Sequence, residues 1–467
     1  MTKAVTLLYL LVPGSLGAVA AQDRQVLTEA ELVQQVQQFH PVVKQADLLT
    51  QKAAADLLTA RGAFDPVIEA GTSAKTLDGV NYYQYTNPGI KIPTGTAVNL
   101  KAGYEKTDGV YINPERTKGV ASYLGLELSL LNGLLTDKKR TALRQANIYR
   151  QQNAQERRIM INDLLFEART AYWEWAGSWY LYQLYTQYID VAAKRTRLIA
   201  LSFRNGDRAM ADTMEAWAQL QNVQLMQADA LATLNKRRLE LSGYLWTADE
   251  APYLLPDQYV PDTMALAALQ ALPDTNVLLA QIEQQHPALQ AGRYKLDILE
   301  AERRLKWQNF LPVVNLQANL LSKDYYQYKN FSWPYLENNY KIGFEVRLPL
   351  LWRQERGEYR NVLIKIRDNT LALQQKQWDL QNKIRKYYTE TVQLQQQLRS
   401  AREMVRTYSF LLRNEELKFS QGESSLFLIN ARENKILETQ QKLVELQVKY
   451  RKAAYAIPWS AGLLAAP

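Results

Sequence analysis

The chain has 467 residues, 47% hydrophobic and 22% charged, with a formal net charge of +9. A mean hydropathy of -0.35 and the lack of any 18-residue apolar run beyond residue 22 exclude a bundle of transmembrane helices, but not a membrane β-barrel. Zero cysteines and two histidines exclude thiolate metal sites, cysteine nucleophiles and disulfides, and leave little for zinc or Ser-His-Asp chemistry; the positive charge is spread along the chain, which argues against a nucleic-acid partner.

Residues 1–21 read as a removable export signal: Lys3 is the charged start, Val5 to Val12 the apolar core, and Ala18-Val19-Ala20-Ala21 a small-residue site with cleavage after Ala20 or Ala21. A first structural repeat is predicted over 22–246. It opens with a helix from Pro41 to Gly62, carries strands over about 66–131, and continues in an unbroken helix from Asp137 to Asn205. A turn at Asn205-Gly206-Asp207 follows, then a helix from Asp207 to Leu245. Residues 247–274 hold Pro252, Pro256, Pro261 and Pro273 and read as a linker. The second repeat, 275–456, has the same plan: a helix from Pro287 to Phe310, strands over about 312–349, a helix from Arg353 to Gln421, a turn at Gln421-Gly422-Glu423 and a helix from Glu423 to Ala456, before a tail at 457–467.

The repeat rests on an ordered series of matches. His40-Pro41 and His286-Pro287, then Phe64-Asp65-Pro66 and Phe310-Leu311-Pro312, share an offset of 246; Phe203-x-x-Gly206 and Phe419-x-x-Gly422 share an offset of 216. The first repeat therefore carries extra residues in its strand region. Proline at a first helical position costs no helical hydrogen bond, so both histidines read as structural helix starts. Each long helix, about 70 residues or roughly 105 Å at 1.5 Å per residue, is too long for a globular core and has the spacing of a coiled-coil seam, as in Leu394, Leu398, Ala401, Val405 and Tyr408.

In the strand regions the period changes to two. Tyr340, Ile342, Phe344, Val346 and Leu348 alternate with Lys341, Gly343, Glu345 and Arg347, and Leu124, Leu126 and Leu128 alternate with Gly125 and Glu127. Nine residues at about 3.3 Å span roughly 30 Å, the thickness of a bilayer core. The expectation is a barrel wall with Glu127, Lys341, Glu345 and Arg347 toward a polar lumen, and tyrosines such as Tyr82, Tyr83, Tyr85, Tyr325, Tyr326, Tyr328 and Tyr340 (with Trp333 and Tyr335) in an interfacial girdle. One chain has too few strands to close such a wall, and an open edge cannot face lipid, so several copies must share it. Ile90-Lys91-Ile92 and Val98 to Ala102, flanking Pro93-Thr94-Gly95-Thr96, read as an additional hairpin; whether it joins the wall, making 18 strands in a trimer instead of 12, stays open at this point.

The order of export signal, proline-marked helix, hairpin, 70-residue helix, glycine turn and helix, then the same again, resembles the TolC-like outer membrane efflux protein family. Phe-x-Pro before the strands and Leu130-Leu131-Asn132-Gly133 after them carry the likeness locally. The resemblance implies a mainly α chain with a membrane β-barrel portion. It implies a homotrimer with a long periplasmic α-barrel and a shared outer-membrane β-barrel, in contact with outer-membrane lipid. As partners it implies a periplasmic adaptor (membrane fusion) protein and an inner-membrane pump, with the adaptor docking at the tip residues Asn205, Gly206, Asp207, Gln421, Gly422 and Glu423. Relatives carry gating aspartates six and nine residues after the second-repeat tip glycine. Here Leu428 and Ala431 stand there, and the first repeat has Asp212 and Glu215 at those distances from Gly206. Asp212, Glu215 and Leu428 are thus the gate candidates; a carboxylate near a helix tip is more often simply solvated, and if Asp212 acts as a tie its partner lies near Phe419 to Ser424. No catalytic residue, cofactor or metal ligand set is expected, and the reading is a passive export channel. The alternative is a periplasmic helical-hairpin scaffold or adaptor without a pore.

Overall fold

The computed structural model describes residues 25–323 and 338–465. The signal reading and the aromatic residues between 325 and 335 lie outside them. In chain order the first repeat comprises β1 (Gln25–Leu27), α1 (Glu29–Phe39), α2 (Pro41–Gly62), β2 (Val67–Glu69), β3 (Thr72–Leu77), β4 (Val80–Thr86), β5 (Gly89–Pro93), β6 (Val98–Asp108), β7 (Gly119–Ser129), α3 (Lys138–Arg204) and α4 (Met210–Ser242). Then come β8 (Tyr259–Pro261), α5 (Thr263–Leu266), α6 (Thr275–Gln285), α7 (Pro287–Gln308), β9 (Val313–Lys323), β10 (Tyr340–Arg347), α8 (Arg353–Ser420) and α9 (Leu426–Ser460). Among the described residues no helix is long and apolar enough to cross a membrane.

Both histidines start helices as expected. His40 and His286 are extended residues whose Nδ1 accepts from the backbone N–H two residues on, Val42 at 3.2 Å and Ala288 at 3.1 Å, with proline in the first turn of each helix. This satisfies an orphan donor that a helix start otherwise leaves bare. The last helix differs from the expectation. The expected end is Ala456, yet α9 runs through Pro458 to Ser460. The Trp459 ring stacks on Phe166 at 4.2 Å, its Nε1 donates to Asp163 at 2.6 Å and its carbonyl accepts from Asn162 at 2.9 Å, so tertiary contacts outweigh proline's local cost.

Two compact units interleave the repeats. The turn-bearing unit consists of residues up to Gln35, Ala171–Ala268 and Ala401–Val448. Its core joins Leu184, Tyr185, Val223, Ala230 and Leu437, with a second cluster of Ile199, Ala216 and Leu426 against Phe419. Within it β1 pairs in parallel with β8. The buried Tyr172 hydroxyl secures that pair by donating to the Leu27 carbonyl at 2.9 Å and accepting from Asp262 N–H at 3.1 Å. Burial raises the Tyr172 phenol well above its usual pKa.

The strand-bearing unit holds Val36–Thr170, Leu269–Ser400 and the residues from Lys449 on. Leu278, Ile282, Leu289, Ile384, Ile457 and Ala461 form its helical core. All strands from β2 to β10 except β8 lie in one antiparallel sheet, ordered β10-β9-β7-β6-β4-β3, with β2 pairing β5 and β5 pairing β6. The sheet thus has six runs, because β2 continues into β3 and β4 into β5. Asn87 N–H to Gly71 O at 2.9 Å and Tyr104 N–H to Pro88 O at 3.0 Å carry the bonding across the interruption at Asn87-Pro88. The Ile90 and Val98 segments expected as one additional hairpin are β5 and β6, and both are integral to the sheet. A further hairpin, β3 to β4, turns on Asp78 and Gly79 with φ of 49° and 75°, the positive values that a two-residue type I′ turn requires.

Candidate functional site: the strand wall and the helical turns

The wall is read from register. Leu126 faces Leu100 on β6 and Ala318 on β9; Leu316 faces Phe344 on β10; Ile90 faces Ala102. Alternation places Ile90, Leu100, Leu124, Leu126, Leu316 and Phe344 on one face, which becomes polar at Gln84, Lys106 and Asp108 toward the end of β6, and puts Lys91, Lys101, Glu127, Lys341 and Glu345 on the other. The apolar face is bare in the single chain, with Ile342 62% and Phe344 65% exposed. Contiguous exposed apolar surface of this kind marks a contact with lipid or another chain.

The expected lumen residues share the opposite face. Lys341 stands across from Asn319, Glu345 from Asn315, and Glu127 from Gln317 and Asn99. Arg347 and Glu345 pair at 2.8 Å, and Lys341 Nζ reaches the Glu115 carbonyl at 3.4 Å. Sequence reasoning did not single out the partners of Glu127. Its carboxylate meets Lys91 at 2.9 Å and Lys101 at 2.7 Å, the two lysines standing directly opposite each other on β5 and β6. The Ile90-Lys91-Ile92 alternation hinted at an inward Lys91, but the meeting of three side chains follows only from register. The girdle expectation needs correction at two positions. Tyr83 pairs with Lys75 and Tyr85 with Thr107, which is on the Lys101 face, and the Arg116 guanidinium lies 3.9 Å from the Tyr85 ring centre; both tyrosines belong to the polar face. Tyr123 crosses the same face over Gly89 and Gly103. A Cβ at Gly103 would come within 2.6 Å of the Pro88 carbonyl oxygen, so the strands approach this closely only because the position lacks a side chain.

In the turn-bearing unit, α3 and α8 end alike. Gly206 N–H donates to Phe203 O at 3.0 Å and Asp207 N–H to Ser202 O at 2.9 Å; Gly422 donates to Phe419 O at 3.2 Å and Glu423 to Lys418 O at 2.9 Å. Both glycines have φ of 82°, giving the same Schellman stop twice. Asn205 and Gln421, immediately before the glycines, are exposed and complete the two turns. The Arg208 guanidinium sits 4.3 Å from the Phe419 ring centre and joins the turn regions of the two repeats.

Of the gate candidates, Glu215 accepts from Asn430 Nδ2 at 3.4 Å and Leu428 is 43% exposed. Asp212 is half-buried in the first turn of α4. Among the described residues no hydrogen bond or ion pair within this chain joins the Asp212 carboxylate to Phe419 through Ser424. A different tie stands close by. Arg195 on α3 grips Glu433 on α9 with two bonds of 2.8 and 3.2 Å, the Glu433 side chain being 1% exposed, and Gln219 Nε2 adds contacts of 3.3 Å to Glu433 and 2.8 Å to Asn434. Burial, then the Glu433 and Glu416 charges, push the neighbouring Tyr188 phenol up to about 12. No sequence signal links two residues this far apart.

Comparison with known proteins finds a family match in the second repeat and a likeness of fold along the chain. The outer membrane efflux protein family matches residues 278–462. No curated protein matches the chain in sequence. Among solved structures, the chain is similar to the CmeC outer membrane channel of Campylobacter jejuni, with 13% identity, TM-score 0.64, and coverage of 93% of this chain and 85% of that one. It is similar to the outer membrane protein VceC of Vibrio cholerae, with 15% identity, TM-score 0.65, and coverage of 93% and 96%. The open-state MtrE outer membrane channel of Neisseria gonorrhoeae aligns with 12% identity, TM-score 0.66, and coverage of 93% and 88%. These likenesses extend the fold over nearly the whole chain. The family match is confined to the second repeat, and over the first repeat the likeness is one of fold.

Proposed function

We propose that three copies of the chain build a passive export duct in the outer membrane, extending into the periplasm, and that the duct is coupled to an inner-membrane pump through a periplasmic adaptor. The observation that carries this reading is the two-faced sheet, greasy along Leu124, Leu126 and Phe344 and polar along Glu127, Lys341 and Glu345, in a chain whose second repeat matches the outer membrane efflux protein family. Such a sheet is stable in a bilayer only when closed, and one chain leaves two edges open. The duct has no catalytic step: its work is to offer a path, and the energy comes from the pump. No residue is assigned a catalytic role.

The turns at 205–207 and 421–423 are the proposed adaptor contacts. They present exposed backbone ends of α3 and α8, and nothing lies within 4 Å of where a Cβ would project from Gly206 or Gly422. Leu428, exposed in the first turn of α9, is the proposed gate residue, since an apolar ring closes a pore by excluding water.

Thiol labelling tests the duct directly, because the chain has no cysteine of its own. In outer-membrane trimers, cysteines at 343, 345 and 347 should react with a hydrophilic maleimide while those at 342, 344 and 346 stay protected; equal labelling of the two sets overturns the wall. Gly206→Trp or Gly422→Trp should stop export and leave the trimers in place, whereas normal export from both would remove the tips as the docking site.

A further inference from the structure

Among the described residues the sheet has two unpaired edges, and they identify what each must meet. One edge is β10 and the other is β2 with β3; every strand between them is paired on both sides. In particular β6, the outermost first-repeat strand if the wall used only four runs per chain, has both sides occupied. It bonds β7 from Val98 to Thr107, and on its other side β5 from Asn99 to Gly103 and β4 from Lys106 to Asp108. A neighbouring copy could reach β6 only by stripping those pairs away.

The two additional runs are also chemically wall strands. Ile68, Ile90 and Ile92 continue the apolar face, and Thr72 and Ala74 stand uncharged on the same face at the edge, before the register shift between Lys75 and Thr76. On the opposite face Lys91 and Lys101 supply both counterions of Glu127, a residue of β7. Residues meant to lie outside a membrane wall need no such alternation. Direction agrees as well: successive runs are antiparallel throughout, so β10 and a neighbour's β3 meet antiparallel, and their inner faces offer Lys341, Glu345 and Arg347 to Glu69 and Lys75.

Resting on the duct reading above, we propose that the β10 edge docks on the β2–β3 edge of the next copy of this chain, so that the membrane wall closes at eighteen runs in the trimer rather than twelve. With runs about 4.8 Å apart and tilted about 40°, eighteen enclose a backbone diameter of about 36 Å, against about 24 Å for twelve. At that count natural barrels hold an open aqueous channel instead of a side-chain-filled interior. The outer-membrane section is then a wide, wet mouth for bulky hydrated cargo, and any size limit lies in the helical part.

Disulfide trapping reads the seam. Phe344→Cys is combined in turn with Ile68→Cys, Thr72→Cys, Ala74→Cys and Thr76→Cys, and in a separate series with Leu100→Cys and Ala102→Cys; trimers in outer membranes are oxidised and run in denaturing gels. At least one pair of the first series should give covalent dimers and trimers, and the second series none. Crosslinking through β6, or trimers in which neither series links, overturns the eighteen-run wall. The maleimide pattern at 342 to 347 is scored on the same membranes, and loss of its alternation marks failure of the duct reading itself. An image of trimers in lipid nanodiscs supplies an independent measure: a wall near 36 Å supports the proposal and one near 24 Å refutes it.

Discussion

The two repeats of this chain use the same punctuation for different purposes. Each opens on a histidine cap followed by proline, and each long helix stops on a glycine at φ 82° with the same pair of backbone bonds. Between those fixed points they diverge. Among the described residues the first repeat contributes four runs of sheet and the second two. Both capping histidines are buried, and only in the second repeat does a glycine of the chain's end, Gly462, lie against the cap at His286 and Pro287. The Arg195–Glu433 tie has no symmetric twin either, because the positions related by the offset of 216 are Leu411 and Trp217. Backbone stops and caps need only one or two residues of the right type and survive divergence. A buried ion pair or a strand register needs several partners at once, so each repeat solves it separately.

The Arg195 tie is where that asymmetry should weigh most. Removing one partner of a buried pair strands the other, which costs about 3–5 kcal/mol. Arg195→Ala should therefore lower unfolding stability by that order, with Glu433→Gln, which keeps a hydrogen-bonding group, milder. Leu411→Ala, at the symmetric position, should cost less than Arg195→Ala in denaturant titrations. Equal losses at 195 and 411 would mean that the tie adds nothing beyond packing.

The second test separates the caps by pH. Burial, followed by the charges of Lys376, Lys383 and Arg158, depresses the His286 pKa from 6.5 to about 4, opposed by a hydrogen bond with the Ser460 backbone. A depressed pKa means that the folded chain binds fewer protons than the unfolded one between these values. The stability is whole above pH 6.5 and is lost as pH falls toward 4, by about 3 kcal/mol. Melting at pH 7 and pH 4.5 should show this loss in the wild type and a smaller one in His286→Asn, which retains a capping oxygen. An unchanged acid shift in His286→Asn would remove the histidine as its source.

The tip glycines should respond alike. Gly206→Ala and Gly422→Ala each place a side chain in left-handed backbone, a cost of about 1–2 kcal/mol, with no clash to add. Unequal losses would break the equivalence of the two turns.

What the sequence revealed and what it hid divide along the same line. The paired His-Pro and Phe-x-x-Gly motifs located caps and stops within a few residues, because each is a local device. The strand count was not legible from the Pro93 to Thr96 turn alone. The deciding signal was Asp78-Gly79, a two-residue hairpin turn that makes β3 and β4 a pair of their own. Lys91 and Lys101 were visible as charges in short alternating segments, but their meeting at Glu127 depends on register between separate strands. Arg195 and Glu433 lie 238 residues apart and carry no motif.

The smallest energetic effects fall at the proposed gate, where the repeats differ in kind: Asp212 and Glu215 after the first turn, Leu428 and Ala431 after the second. Asp212 bonds nothing among 419–424 of its own chain, so Asp212→Ala should change unfolding stability by no more than about 0.5 kcal/mol. Leu428 is exposed, and its replacement by aspartate should leave stability equally untouched. Its consequence lies in conduction. In a threefold pore Leu428→Asp converts an apolar ring into three clustered carboxylates, which attract divalent cations strongly because like charges close together hold a counterion between them. Planar-bilayer recordings should then show block by millimolar divalent cations from the side bearing the helical turns, absent in the wild type. A wild-type pore already blocked in this way would place acidic residues, rather than Leu428, at the constriction.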